Sequence, residues 1–346
     1  MTGSWHQVLL TANPRAAMPG GDAVRIGILA YEGCFATEVF AVSDFLRIAN
    51  HVARDSGAAT DAFDTTVVAA SPEPVTTAGG FTIGARRWHH RFDLLVVPGF
   101  ELTPDTDLNL LLGDRSREIA FLRAAGRRRI RIASVCVGAF LLGEAGLLDE
   151  RRCTTSWLFA SKLARRYPRS TVCAESLIVT DEQITTTAAF SASLDLATAI
   201  VREHLGADVA RATARITLVS ENRTSQAPYV VESMVETTTG PFAMAVQRWL
   251  IDHLAEPYSL TRLADAFHVS TRTVLRRYAD ETGCSPLDFL QQARIGAVKR
   301  LLTDTDVPIG KIPRRVGYQD PSTLRRLFLD RVGMSLGDYR RQFRAR

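Results

Sequence analysis

The amino-acid sequence predicts an α/β domain, a sandwich around a mostly parallel sheet, followed by an all-α domain of two related helical units. Three observations carry this. Between Val24 and about Ile200, short β-rich apolar runs alternate with longer helical patterns, as expected of a parallel sheet covered on both faces. In the last hundred residues a set of residue types recurs at a spacing of fifty. Excess positive charge is confined to that last third: residues 241–346 hold 18 Lys+Arg against 11 Asp+Glu, whereas residues 1–240 hold 24 against 26.

Taken in order, VRIGILA (24–30), TTVVAA (65–70), DLLVVPG (93–99) and RIRIASVC (129–136) read as strands. Thr37–Val52, Asp114–Ala125 and Ser156–Tyr167 read as the helices between them, from the change of hydrophobic period. SLIVTDEQITTTA (176–188) reads as a hairpin turning at Asp181–Gln183, and a helix from about Ser193 to His204 follows. His89-His90, beside Trp88, read as loop or surface residues. The stretch 221–240 lacks sustained periodicity and is rich in Ser and Thr, so 223–240 is read as a linker between domains spanning 22–222 and 241–346.

The first 21 residues read as a flexible tail without the apolar core of a signal peptide. With 346 residues, 46% hydrophobic and 23% charged, the chain is long enough for two cores and is neither fibrous nor wholly disordered. The longest uncharged apolar stretch, Ile132 to Gly143, is 12 residues, short of the ~20 that span a membrane. Five cysteines (Cys34, Cys136, Cys153, Cys173, Cys284) form no CxxC pair. That argues against a disulfide framework or zinc cluster and for a reducing, cytoplasmic setting. Neither metal nor cofactor is expected.

The repeat is detailed. Thr273-Val274, Arg276, Tyr278, Asp280, Gly283, Ser285, Asp288 and Phe289 recur as Thr323-Leu324, Arg326, Phe328, Asp330, Gly333, Ser335, Asp338 and Tyr339. Leu260, Leu263 and Phe267 recur at a spacing of 49, as Ile309, Ile312 and Val316. Each unit reads helix, short turn, helix. In the first, Leu260, Leu263, Ala264 and Phe267 mark one amphipathic helix, and Ser270 suits the N-cap of a second that buries Val274 and Tyr278. That second helix exposes Thr271, Arg272, Leu275 and Arg276; its counterpart exposes Ser322, Thr323, Arg325 and Arg326. A long helix joins the units, with Ser285 as N-cap, Pro286 at its first position and Asp288 in its first turn. A bundle with a solvated basic face would explain the charge alone. Repeat, caps and basic excess together point to helix-turn-helix units in the major groove of double-stranded DNA, where arginine reads guanine edges or grips phosphate.

On these residues the stretch from about Pro241 to Phe343 resembles the AraC/XylS family of transcription regulators. The carrying motifs are SLTRLADAFHVSTRTVLRRYADETGCSP, VGYQDPSTLRRLF and GMSLGDYRRQF. The resemblance implies seven helices, with base-reading positions at Arg272, Leu275 and Arg276 in the first unit and Pro321, Ser322, Thr323, Arg325 and Arg326 in the second. Thr273 lies on the same reading helix. One departure stands out: Ile312-Pro313 replaces the family's Ile-Ala. A mid-helix proline costs ~3 kcal/mol, and Gly310 weakens the same helix. The expectation is a kinked or short helix and a second unit that contributes less to binding.

In the first domain, the apolar strand IRIAS runs directly into Val135-Cys136-Val137-Gly138-Ala139-Phe140. A small-residue turn from strand to helix aims its apex side chain outward from the carboxyl edge of the sheet. A helix N-terminus there is expected to lower the thiol pKa and to offer N–H groups to an anion. Standing alone, such a cysteine is more often a packed core thiol.

The surrounding motifs, VVPGF (96–100), ASVCVGAFLLGEAGLLDERRCTTSW (133–157) and TTTAAFSASLDLA (185–197), resemble the ThiJ/PfpI superfamily over about residues 24–205. Within it they are similar to the GlxA-like subgroup that is fused to AraC-type domains. The resemblance implies a flavodoxin-like, class I glutamine amidotransferase-like fold, with Cys136 at the nucleophile position, Glu38 as the carboxylate that contacts it, and Gly99 in a loop facing the same pocket. Ser156 stands where the subgroup has histidine, and Thr187-Ala188-Ala189 replaces Ser-Ala-Gly. A serine hydroxyl is no general base near neutral pH, so the nucleophile–base pair is missing.

The sequence thus points to a DNA-binding transcription regulator, not an enzyme. Its first domain is expected to dimerise, and Glu38, Gly99, Cys136, Val137 and Ser156 to line a pocket for a small-molecule effector. A cysteine-dependent amidase or glyoxalase-like enzyme carrying a DNA module is the alternative.

Overall fold

The computed structural model describes residues 23–344 apart from 71–72, 89–90, 104, 222, 232–233 and 235–239. The expected tail, the His89-His90 pair and residues 232–233 and 235–239 of the expected linker lie outside the described residues. The chain divides into two compact units, one ending at Gln226 and the other beginning at Ala227. That division falls inside the 223–240 segment.

The strands of the first unit are β1 (Val24–Leu29), β2 (Phe63–Ala69), β3 (Val75–Thr76), β4 (Thr82–Ile83), β5 (Arg86–Arg87), β6 (Leu94–Val97), β7 (Arg131–Ser134), β8 (Arg152–Cys153), β9 (Thr171–Val172), β10 (Ile178–Asp181) and β11 (Ile184–Thr187). Seven form one sheet in the order β10-β11-β7-β6-β1-β2-β5. Its pairings are parallel except β10–β11, the expected hairpin. Asp181 pairs with Ile184 across a two-residue loop, and Glu182 takes a φ of 52°.

The near-continuous apolar runs are explained by burial: Ile26, Ile28, Leu94 to Val97, Ile132 and Ala133 all lie in the core, as central parallel strands require. The helices are α1 (Ala36–Asp55), α2 (Leu108–Gly113), α3 (Ser116–Arg127), α4 (Ala139–Glu144), α5 (Ala160–Arg166) and α6 (Ala192–Ile216). Helices α1 and α6 pack on each other, α1 lying also on β1 and β2, while α3 packs on β7 and α4. Helix α6 runs well past the expected end at His204, with a break at Gly206, where φ is 83°. The stretch expected as one helix over Ser156–Tyr167 is a 3-10 turn (Trp157–Phe159) leading into α5.

The second unit holds seven helices among the described residues: α7 (Pro241–Asp252), α8 (Leu260–Ala266), α9 (Thr271–Thr282), α10 (Pro286–Asp304), α11 (Ile312–Arg315), α12 (Pro321–Val332) and α13 (Leu336–Phe343). Two hydrophobic clusters alternate along it. Val246, Leu250, Leu263, Val274, Tyr278 and Leu290 form the first, and Val298, Leu302, Ile312, Leu324, Phe328 and Tyr339 the second. Helix α10 gives Leu290 to one and Ile295 onward to the other, so each helix-turn-helix has its own core on a shared spine.

The fifty-residue echo is structural. Helices α9 and α12 both end on a left-handed glycine, Gly283 (φ 75°) and Gly333 (φ 77°), where a side chain would be strained. Ser285 and Ser335 then cap the next helices by accepting from Asp288 N–H and Asp338 N–H. The expectation for Pro313 needs correcting in part. Helix α11 is short, as expected, but Pro313 occupies its first turn, after a 3-10 turn at Ile309–Lys311. A proline there has no helical hydrogen bond to lose, so the mid-helix penalty is not incurred.

Candidate functional site

Three strand ends build the first site. Glu38 enters from the first turn of α1, Gly99 follows β6, and Cys136 follows β7. Cys136 has a φ of 54°, a strained left-handed conformation that a non-glycine residue keeps only where its surroundings impose it. Its N–H donates to the Ala188 carbonyl at 2.9 Å, and its carbonyl accepts from Thr155 Oγ1 at 2.8 Å. Gly138 lets the turn close: a Cβ there would meet the Val97 and Pro98 carbonyl oxygens at 2.7 Å. A Cβ on Gly99 would lie 3.2 Å from Cys136 Cβ, 3.2 Å from Glu38 Oε2 and 3.3 Å from Val137 Cγ2. Four of the five expected pocket residues therefore converge on one point.

Glu38 is fully buried. Its Oε2 accepts from the Gly99 N–H at 2.5 Å, while Oε1 has no hydrogen-bond partner among the described residues. Burial pushes its carboxyl from 4.5 up to about 8, against the pull of the Gly99 N–H. At neutral pH the group is therefore mostly a carboxylic acid, a donor and not the carboxylate expected from the sequence.

The expected lowering of the Cys136 thiol pKa is overturned. Burial first and the Glu38 charge second push it up to about 12; the Val137 and Phe190 N–H groups face the sulfur and pull the other way. The helix beyond the elbow is a 3-10 turn followed by six residues, too little aligned backbone to offset a dry site. Histidine is not among the groups that shift this thiol: His51 bonds Arg54, and His204 stands edge-on to Phe63. Ser156 is buried but does not cap the turn it precedes.

Sequence reading missed two residues here. Thr155 holds the elbow through its hydroxyl, and buried Gln226 accepts from the Trp157 N–H at 3.0 Å while donating to the Thr155 carbonyl at 2.8 Å. The Thr-Ser-Trp motif marked the first; nothing local marks the second.

In the second unit, α9 exposes Arg272, Leu275 and Arg276, and α12 exposes Ser322, Thr323, Arg325 and Arg326. Arg276 makes only a loose 3.8 Å ion pair, with Asp280. The neighbouring Arg277 instead lies over the Phe242 ring, 4.1 Å from its centroid. Thr273 is half-buried, its hydroxyl 2.9 Å from the Ser270 hydroxyl. Asp320 caps α12, accepting from the N–H and hydroxyl groups of both Ser322 and Thr323. These bonds hold its carboxyl well below the usual range. The arginines and Leu275 thus project outward, while three expected base contacts also hold helix starts.

Residues 263–342 match a helix-turn-helix domain family. The chain is 29% identical over 232 residues to the HTH-type transcriptional regulator GlxA of Rhizobium meliloti (strain 1021), covering 66% of this chain and 71% of that protein. It is 25% identical over 280 residues to the HTH-type transcriptional regulator CdhR of Pseudomonas aeruginosa, covering 78% and 79%. Among solved structures, a ThiJ/PfpI family protein from Pseudomonas syringae is 23% identical over 60% of this chain and 80% of that one, with a TM-score of 0.48. No described helix is long and apolar enough to cross a membrane. Residues 24–203, more than half of the sequence, match the DJ-1/PfpI family, and with a strained cysteine elbow at the sheet's carboxyl edge the chain belongs to that family.

Proposed function

We propose that the protein is a cytoplasmic, sequence-specific regulator of transcription that grips double-stranded DNA with α9 and α12. The observation that carries this is the duplicated helix, N-capped at one end and glycine-capped at the other, which turns Arg272 and Arg276, then Arg325 and Arg326, outward from separate cores. Two such helices on one spine suit adjacent major-groove segments. The HTH-type regulators GlxA and CdhR are similar over most of this chain. The first unit dimerises the protein, because two linked modules raise effective concentration on a paired site.

The same unit binds a small effector and does not catalyse. Glu38 offers a neutral carboxyl whose Oε1 has no hydrogen-bond partner among the described residues, Val137 and Phe190 offer N–H groups, and Gly99 brings its own N–H against Glu38. A thiol held near 12 with no basic partner among the described residues is a poor nucleophile. Selecting bound sites from random DNA with the full chain tests the reading: recovered sites are expected to be paired and to bind with strongly salt-dependent affinity. Failure to enrich any sequence refutes it. Turnover of an amide or α-oxoaldehyde that disappears in Cys136→Ala would refute the non-catalytic part.

A further inference from the structure

Inside the second unit the two hydrophobic clusters are joined at α10, which runs through both, and at Leu254, in the turn between α7 and α8, which packs against both. Arg294 stands midway along α10 and is 4% exposed. Its Nε donates to the Leu254 carbonyl at 3.0 Å, and its Nη2 donates to the Glu256 carbonyl at 2.6 Å. The Glu256 carboxylate in turn pairs with Arg262 on α8. The Arg294 guanidinium also lies over the Tyr318 ring, 5.0 Å from its centroid, and Tyr318 sits in the turn between α11 and α12. One buried side chain therefore holds the α7–α8 turn of the first helix-turn-helix and the turn inside the second.

The repeat shows that the second turn is shaped around this group. At the spacing of 49 that pairs Phe267 with Val316, His268 is the counterpart of Gly317. Both have a left-handed backbone, with φ of 52° and 84°, so the turn by itself tolerates a side chain. At Gly317 a Cβ would lie 2.5 Å from Arg294 Nη2 and 2.8 Å from the Leu254 carbonyl oxygen. Glycine is needed there because the guanidinium occupies the space. Arg331, on α12, reaches back to the first half of α10 as well, 3.4 Å from Gln291 Oε1 and 3.5 Å from Asp288 Oδ1.

Burying a guanidinium is unfavourable unless its donors are met, and its planar fork fixes the direction of every partner it meets. We propose that Arg294 is a positioning residue that locks α9 and α12 at one separation, so that the spacing between the two contacted DNA segments becomes part of what the protein recognises. Each base pair added between those segments moves one of them by about 3.4 Å along the duplex and turns it by about 34°. A locked pair of helices cannot follow that step, whereas a pair joined only through a helix and one leucine can. The inference rests on the DNA-binding reading above.

The test uses the full chain and a duplex recovered by site selection, alongside the same duplex with one base pair added or removed between its two enriched blocks. The natural chain is expected to bind the altered spacings ~5-fold or more weakly, the lower size of one lost base contact. Arg294→Lys keeps the charge but lacks the fork; it should bind the recovered duplex and discriminate less than ~2-fold between spacings. Gly317→Ala, whose methyl intrudes on the same guanidinium, is the second variant and should behave alike where Arg294→Lys fails to fold. A variant that binds all three duplexes more weakly while keeping the natural discrimination overturns the proposal, since Arg294 then only supports the fold. Indifference of the natural chain to spacing, or recovery of sites with a single block, also overturns it and leaves the DNA-binding reading standing. If no sequence is enriched, both fall.

Discussion

Glu38→Gln should flatten the pH dependence of stability in the first unit. The folded chain pushes this carboxyl from 4.5 up to about 8, chiefly by burial, so the native state holds the proton more tightly than the unfolded chain. The resulting stabilisation is complete below pH 4.5 and is lost progressively as pH rises through about 8. At ~1.4 kcal/mol per pH unit, a window from 4.5 to about 8 amounts to a loss of ~5 kcal/mol. Glutamine keeps a carbonyl oxygen for the Gly99 N–H and never ionises, so the substituted chain should lack that slope and be the more stable form at the alkaline end. Urea denaturation of both chains at a series of pH values across the window, fitted for midpoint and slope, measures it. Parallel pH profiles would refute the claim that a neutral acid sits in a dry pocket, and with it the reason for the high Cys136 pKa.

Other expectations can be checked in the same preparations. Arg272→Ala and Arg276→Ala should each weaken or relax recognition in a binding-site profile, by ~1–3 kcal/mol where the arginine contacts a base bidentately. Arg277→Ala, which removes the cation over Phe242, should lower thermal stability and leave the profile unchanged. Pro313→Ala should alter stability by no more than ~1 kcal/mol, the unfolded-chain effect of a first-turn proline, and leave DNA affinity unchanged; a large gain in stability would restore the mid-helix reading. Gly138→Ala puts a methyl 2.7 Å from two carbonyl oxygens and should destabilise the first unit by ~1–3 kcal/mol, measured by denaturation, while the second unit's fold is retained by circular dichroism.

What the sequence determined by itself was whatever depends on period and spacing. Apolar runs such as LLVV, β-branched and bounded by turn residues, suit a doubly covered strand, and a two-residue turn at Glu182-Gln183 needs no distant partner. The echo from Thr273 to Thr323 carried over into paired caps at Gly283 and Gly333 because capping is local chemistry, set by residues within one turn. Glu38, Gly99, Cys136 and Val137 could be placed together through the family resemblance, although they come from three separate strand ends.

The tertiary structure decided everything that depends on dryness and on distant neighbours. A carboxyl and a thiol in the sequence say nothing of solvent; enclosure makes Glu38 a neutral acid and holds Cys136 as a thiol, against the elbow's expected effect. Pro313 reads as a helix breaker until a preceding 3-10 turn moves the helix start onto it. Gln226 and Arg294 look like ordinary surface residues in a polar stretch and on a basic helix. Only the fold brings Thr155 to one and the Leu254 carbonyl to the other, because a hydrogen bond across that much chain exists only after both cores have closed.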